Sequence, residues 1–254
     1  LTLTADAILS TSGSAAVTFG GAVNGAYNLT VNSAGVTTFA GAVGDTAALS
    51  SLSTNAAGTL VISGGSVTTT GTQTYGETMS VSLGGNTTLT ASMLTLNAPV
   101  TSAGELHIVG AATLRGGSIT TSGEQSYSGA VTLTTNTLLD AGASDVNMGS
   151  TVDGGYSLEI RSTGVTTLGG AVGATHALTS LSTNTGGSLV IDGGSVKTTG
   201  SQSYGEAVTL GADTLLSSTH LGSISFTNTV DGAFNLSINT AGDTIFNGKV
   251  RSEE

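Results

Sequence analysis

Apolar and small polar residues alternate over short spans along the whole chain. Leu1-Thr2-Leu3-Thr4, Val131-Thr132-Leu133-Thr134 and Ser223-Ile224-Ser225-Phe226 alternate strictly, and Leu189-Val190-Ile191 is a short apolar run. A period of two with many β-branched residues is the mark of a half-buried strand. Clusters such as Gly64-Gly65, Gly84-Gly85-Asn86, Asp153-Gly154-Gly155 and Asp192-Gly193-Gly194 interrupt these spans. Such clusters supply the corners that tight turns need. The pattern therefore predicts many short strands joined by tight corners.

The strands fall into repeats. Residues 23–79, opening Val23-Asn24-Gly25-Ala26-Tyr27, align with 152–208, opening Val152-Asp153-Gly154-Gly155-Tyr156, at a constant offset of 129. A motif built on Gln-x-Tyr appears as Gln73/Tyr75, Gln125/Tyr127 and Gln202/Tyr204, with tyrosine spacings of 52 and 77. Val230-Asp231-Gly232-Ala233-Phe234 opens a further, incomplete copy. The two spacings differ by 25, which predicts a repeating unit of about 25 residues, with one unit absent from the shorter copy. A solenoid tolerates that loss because each coil touches only its neighbours, whereas a β-sandwich would lose strands from both sheets.

The prediction is an all-β chain folded as a right-handed parallel β-helix, or β-solenoid. It has about ten coils of about 25 residues, with three short strands per coil. Handedness follows the crossover rule. The chain forms one solenoid segment, 1–254, with copies over about 1–77, 78–130, 131–207 and 208–250. The tail Arg251–Glu254 does not fit the repeat and reads as a small cap or an added scar.

Composition sharpens this picture. Thr (45), Ser (33) and Gly (39) fill 117 of 254 positions, yet 38% of residues are apolar and spread throughout, which argues against disorder. Charged residues are only 8%, too few for the wet faces of long helices. With no Cys, disulfide frameworks, thiol nucleophiles and Cys-ligated metals are excluded. A net charge of −11 disfavours nucleic acid as a partner. No apolar run is long enough for a membrane helix, so this segment is expected not to insert in a membrane, and no export signal is visible.

Candidate chemistry is sparse. A polysaccharide-acting β-helix enzyme would need clustered carboxylates. Asn24, Asp153 and Asp231 are expected to share one corner but to lie several coils apart; Glu77 and Glu206, and Asp6, Asn136 and Asp213, are similarly dispersed. All of these read as turn formers and solvated corners. His107, His176 and His220 are single and read as surface or corner residues. Tyr75, Tyr127 and Tyr204 are expected to share a corner and cap the core. Thr68-Thr69-Thr70, Thr120-Thr121 and Lys197-Thr198-Thr199 hint at an ice-binding face, but recur too rarely to build one; they read as residues of a wet strand face. No catalytic, cofactor-binding or metal-binding residue is assigned, and no enzyme activity or cofactor is expected.

The stretches Gly-Gly-Ser-Val-Thr-Thr-Thr-Gly-Thr-Gln-Thr-Tyr-Gly-Glu (64–77) and Ala-Val-Thr-Leu-Gly-Ala-Asp-Thr-Leu-Leu (207–216) resemble repeats of very large bacterial surface proteins. These are the filamentous-haemagglutinin-like and autotransporter-like exoproteins and adhesins. The resemblance implies a secreted parallel β-helix at the cell surface, acting as a stalk or adhesive fibre. Expected partners are surface, host or matrix ligands, or further copies of the chain stacking end to end as a filament. No secretion domain or C-terminal barrel is recognisable, so the export route is not visible.

Overall fold

The computed structural model describes residues 1–55, 57–77 and 80–251. Among these there is no helix. Short parallel strands form stacked coils, a β-solenoid of about 11 turns, each with three sides. The chain forms two compact units, Leu1–Gly123 and Glu124–Glu254. The copy boundary at 78 and the tail residues 252–254 lie outside the described residues.

In the first unit, one side stacks Ala7–Ser10, Asn28–Asn32, Ser51–Thr54 and Thr72–Tyr75, then the second halves of Thr87–Leu96 and Leu106–Leu114. The next side stacks Val17–Phe19, Val36–Phe39, Thr59–Ile62, Ser80–Leu83, Val100–Ser102 and Ser118–Thr121. The third side is thinner. Single bridges join Val23, Val43 and Val67, and pairing then continues through Leu89 and Ile108. Inward residues form files along the stack, such as Leu29, Leu52, Gln73, Leu94 and Ala112.

The second unit is built the same way. Gln125–Tyr127, Val146–Met148, Val165–Leu168, Ser188–Ile191, Ala207–Leu210 and Val230–Asp231 form one side. A second carries the file Val131, Val152, Val172, Val196, Leu216 and Ile238. A third runs from Thr137–Gly142 through Leu158–Ser162, Leu181–Thr183, Gln202–Tyr204 and Ile224–Phe226 to Thr244–Phe246. Tyr204, Phe226 and Phe246 stack at centroid distances of 5.0 and 4.8 Å, which aromatic residues in register on adjacent parallel strands permit.

The coil is shorter than the repeat arithmetic predicts. Leu29, Leu52, Gln73, Leu94 and Ala112 are successive partners, and their positions advance by 23, 21, 21 and 18. Gln125, Val146, Thr166, Leu189, Val208 and Val230 give steps of 21, 20, 23, 19 and 22. The repeating element is smaller than a coil: it is one strand plus one corner. Tyr127 and Tyr204 are separated by eleven strand positions, Val172 being one of them. A turn closes every three positions, so eleven give three turns and two sides. Equivalent residues therefore land on different sides. Tyr127 lies on the side of Met148, Leu168 and Ile191, and Tyr204 on the side of Phe226. Asp153 lies on the Val152 side and Asp231 on the Ala207–Leu210 side, so the expected shared corner does not exist for either pair.

Glycine is required where coils approach closely. Gly25, Gly154 and Gly232 have φ of +125°, +133° and +132°. A Cβ at each would overlap the carbonyl oxygen of Leu3, Leu133 or Leu210 one coil below. This accounts for the Val-Asn/Asp-Gly motif that opens the copies.

Candidate functional site

The dispersed Asp and Asn residues join one coil to the next. Asp6 accepts from Asn28 N and Nδ2, both at 2.9 Å. Asn136 Oδ1 accepts from Ser157 N at 3.0 Å, and Asp213 Oδ1 from Asn235 N at 2.9 Å. Asn24 Oδ1 accepts from Thr46 N and Ala47 N at 3.1 and 3.2 Å. Asp153 Oδ1 accepts from Thr175 N and His176 N at 2.8 and 3.0 Å. Each side chain thus covers corner N–H groups that the strand ladder leaves free. Those two bonds from Asn28 hold the Asp6 carboxyl below its ordinary value.

Glu77 and Glu206 contradict the expectation of solvated corners. Both are buried. The Gly before each, Gly76 or Gly205, packs against the backbone of the preceding coil. Glu77 Oε2 accepts from Thr54 Oγ1 at 2.8 Å. Glu206 has no such bond: neither of its oxygens, nor Thr166 Oγ1, completes a hydrogen bond. Burial raises the Glu77 carboxyl above its usual range and pushes Glu206 up to about 7. A nearby Thr hydroxyl opposes the shift in each case, Thr54 for Glu77 and Thr166 for Glu206. Desolvation disfavours the charged form, so Glu206 holds a proton well above the normal range for a carboxylic acid.

The three Gln-x-Tyr motifs form buried polar modules, a role the sequence reading missed for the glutamines. Tyr75, Tyr127 and Tyr204 lie within strands, fully buried, rather than at corners. Each phenol donates to the Oε1 of the glutamine two positions before it, at 2.9, 2.9 and 2.8 Å. The amide nitrogens reach across the core to backbone carbonyls. Gln73 donates to Val67 O and Thr90 O, Gln125 to Asp140 O, and Gln202 to Val196 O and Ser217 O. Burial raises all three phenols above their ordinary value. The signal was available: an inward position in a Gln-x-Tyr alternation places both side chains on one face.

The threonine clusters are split between surface and core: Thr70 and Thr120 are exposed, as a wet strand face requires, whereas one threonine of each cluster turns inward. Thr69, Thr121 and Thr198 are buried, and each donates to a glycine carbonyl two positions on, at 3.0, 2.6 and 2.6 Å. They are core residues that satisfy corners, not parts of a wet face. His107 lies 3.3 Å from Glu105, while His176 and His220 are exposed. Among the described residues no group of three or more His, Cys, Asp or Glu could hold a metal ion, and no helix is long and apolar enough to cross a membrane.

The polar chemistry brought together here is therefore coil-to-coil bonding. In the coil over 230–250, Phe246 and Val250 are exposed. Neither a protein-family model, nor a curated protein, nor a solved structure matches this chain.

Proposed function

We propose that the chain is a structural, spacing segment of a secreted bacterial surface protein or extracellular fibre, with an adhesive role in its setting. The observation that carries this reading is the use made of its polar residues. Asp, Asn, Gln, Tyr and Thr are spent on bonds between or within coils, leaving a stack whose mechanical continuity is its main property. The repeat style of residues 64–77 supports the surface-protein setting. The test is antibody labelling of intact cells of the source organism. Labelling without permeabilisation is expected; labelling only after permeabilisation would overturn the reading.

A second reading is a filament subunit that stacks on copies of itself. The exposed Phe246 and Val250 favour it. Electron microscopy of the purified chain tests it, with concentration-dependent linear polymers as the expected result.

A further inference from the structure

The end of the second unit carries information about what covers it. Residues 230–250 repeat residues 23–43 without a gap, with 12 of 21 positions identical, and they repeat 152–172 in the same way. In the two earlier copies the inward residues are fully buried: Leu29, Val31, Phe39 and Val43 in one, Leu158, Ile160, Leu168 and Val172 in the other. In the third copy Leu236 and Ile238 are only half-buried, Phe246 is 39% exposed and Val250 57%. A hollow of about 390 Å³, lined by Leu210, Val230, Phe234, Leu236 and Val250 among others, opens there. The residues are equivalent, so the difference lies in the coil that follows.

That following coil is nearly the same in both covered copies. Residues 44–62 and 173–191 share Gly-x-Thr-x-Ala-Leu-x-Ser-Leu-Ser-Thr-Asn and end in Leu-Val-Ile. They dock by the same bonds in each unit. The side-chain oxygen of Asn24 or Asp153 accepts two backbone N–H groups. Asn55 Oδ1 accepts from Ser33 N, and Asn184 Oδ1 accepts from Ser162 N. Ser50 Oγ donates to Ala26 O, and Thr179 Oγ1 donates to Gly155 O. Two glycines make the approach possible: Gly58 and Gly64 lie on Gly35 and Gly41, and Gly187 and Gly193 on Gly164 and Gly170. A Cβ at any of them would overlap that backbone. The third copy keeps the matching surface: Asp231, Thr240, Ala233 O, Gly242 and Gly248. In this copy Asp231 Oδ1 accepts from its own neighbour, Gly232 N, at 3.0 Å, and its Oδ2 lies 3.8 Å from Arg251 Nη1.

We propose that the open face of coil 230–250 is a docking site for a β-coil of this Leu-Ser-Thr-Asn class. Such a coil has leucines at the positions of Leu178, Leu181 and Leu189, asparagine at Asn184, and glycine at Gly187 and Gly193. The proposal rests on the stacking role proposed above and specifies the partner. It sets this class of coil apart from the first coil of a second copy.

The test titrates a labelled synthetic peptide spanning positions 173–193 into the full chain, with amide hydrogen exchange as a second readout. Saturable 1:1 binding is expected, with new protection at Leu236–Asn239 and Thr244–Phe246. Binding should weaken at least tenfold when the peptide carries Gly187→Val and Gly193→Val. Equal binding by that variant or a scrambled peptide, or no saturable binding, would overturn the proposal. So that poor peptide solubility does not decide the matter, the same segment is also fused after Val250. Unchanged exchange at Thr244–Phe246 in the fusion would equally overturn it. Polymerisation of the unmodified chain that protects these strands would assign the face to a second copy instead, and the structural reading would survive.

Discussion

Glu206 offers a quantitative handle on the core. Its carboxyl is fully buried, completes no hydrogen bond, and is pushed up to about 7. In the unfolded chain a glutamate titrates near about 4.3. The folded state thus holds its proton more tightly than the unfolded state. Well below about pH 4 both states are protonated and Glu206 adds no pH-dependent penalty. As pH rises from about 4.3 to about 7, the unfolded chain ionises first and stability falls; above that window both are ionised and the loss is complete. At roughly 1.4 kcal/mol per pKa unit, the loss is about 4 kcal/mol. Glu206→Gln removes the titration while keeping the shape. Urea unfolding of both proteins from pH 4 to 8, followed by circular dichroism and tyrosine fluorescence, measures the difference. The stability of the variant relative to the wild type is expected to climb by about 4 kcal/mol across the window. The difference cancels every carboxylate the two proteins share. A difference independent of pH would refute the argument, since it would mean that Glu206 is solvated when folded.

Other consequences follow from the same geometry. Glu77→Gln should show a pH trend of the same sign in the same assay, because burial also raises Glu77, against the opposing hydroxyl of Thr54. Gly193→Ala should cost at least about 2 kcal/mol, because its Cβ would overlap the backbone of Gly170, whereas Gly155→Ala, in open space, should change stability by less than about 0.5 kcal/mol. Tyr204→Phe strands the buried Oε1 of Gln202 and should cost about 1–3 kcal/mol by chemical denaturation. Gln202→Ala should cost more than Tyr204→Phe, because it strands the buried Tyr204 hydroxyl, removes the amide bonds to Val196 O and Ser217 O, and leaves a cavity in the core.

Much of the fold is legible in the residues. Alternation places the strands over 131–133 and 224–226, and Gly-rich clusters mark corners such as Gly154 and Gly193. Three strands to a coil follow from the same spacing. The coil length is misread because the strongest signal, the recurring Tyr75, Tyr127 and Tyr204, repeats by strand position rather than by turn. Nothing in the spacing of Tyr127 and Tyr204 says that it spans eleven positions on a three-sided path. Burial of small polar residues is the other gap. Thr198 and Thr199 are adjacent and chemically alike, yet Thr198 is in the core and Thr199 is not. Parity along the strand decides this, and parity is lost at every corner of uncertain length. Glu206 is hidden for the same reason: a charged residue beside a glycine reads as surface until the next coil is in place.

The register of the coils is the claim on which the rest depends, and disulfide trapping tests it directly. The chain has no cysteine to compete. Ser126 and Asn147 face each other on adjacent strands, both directed outward. The longer coil expected from the repeat spacing would instead set Ser126 against Thr151. Under mild oxidation, Ser126→Cys with Asn147→Cys is expected to form an intramolecular bridge efficiently, because parallel partners lie within disulfide reach. Ser126→Cys with Thr151→Cys should remain reduced. Bridging of the second pair in preference to the first would contradict the account.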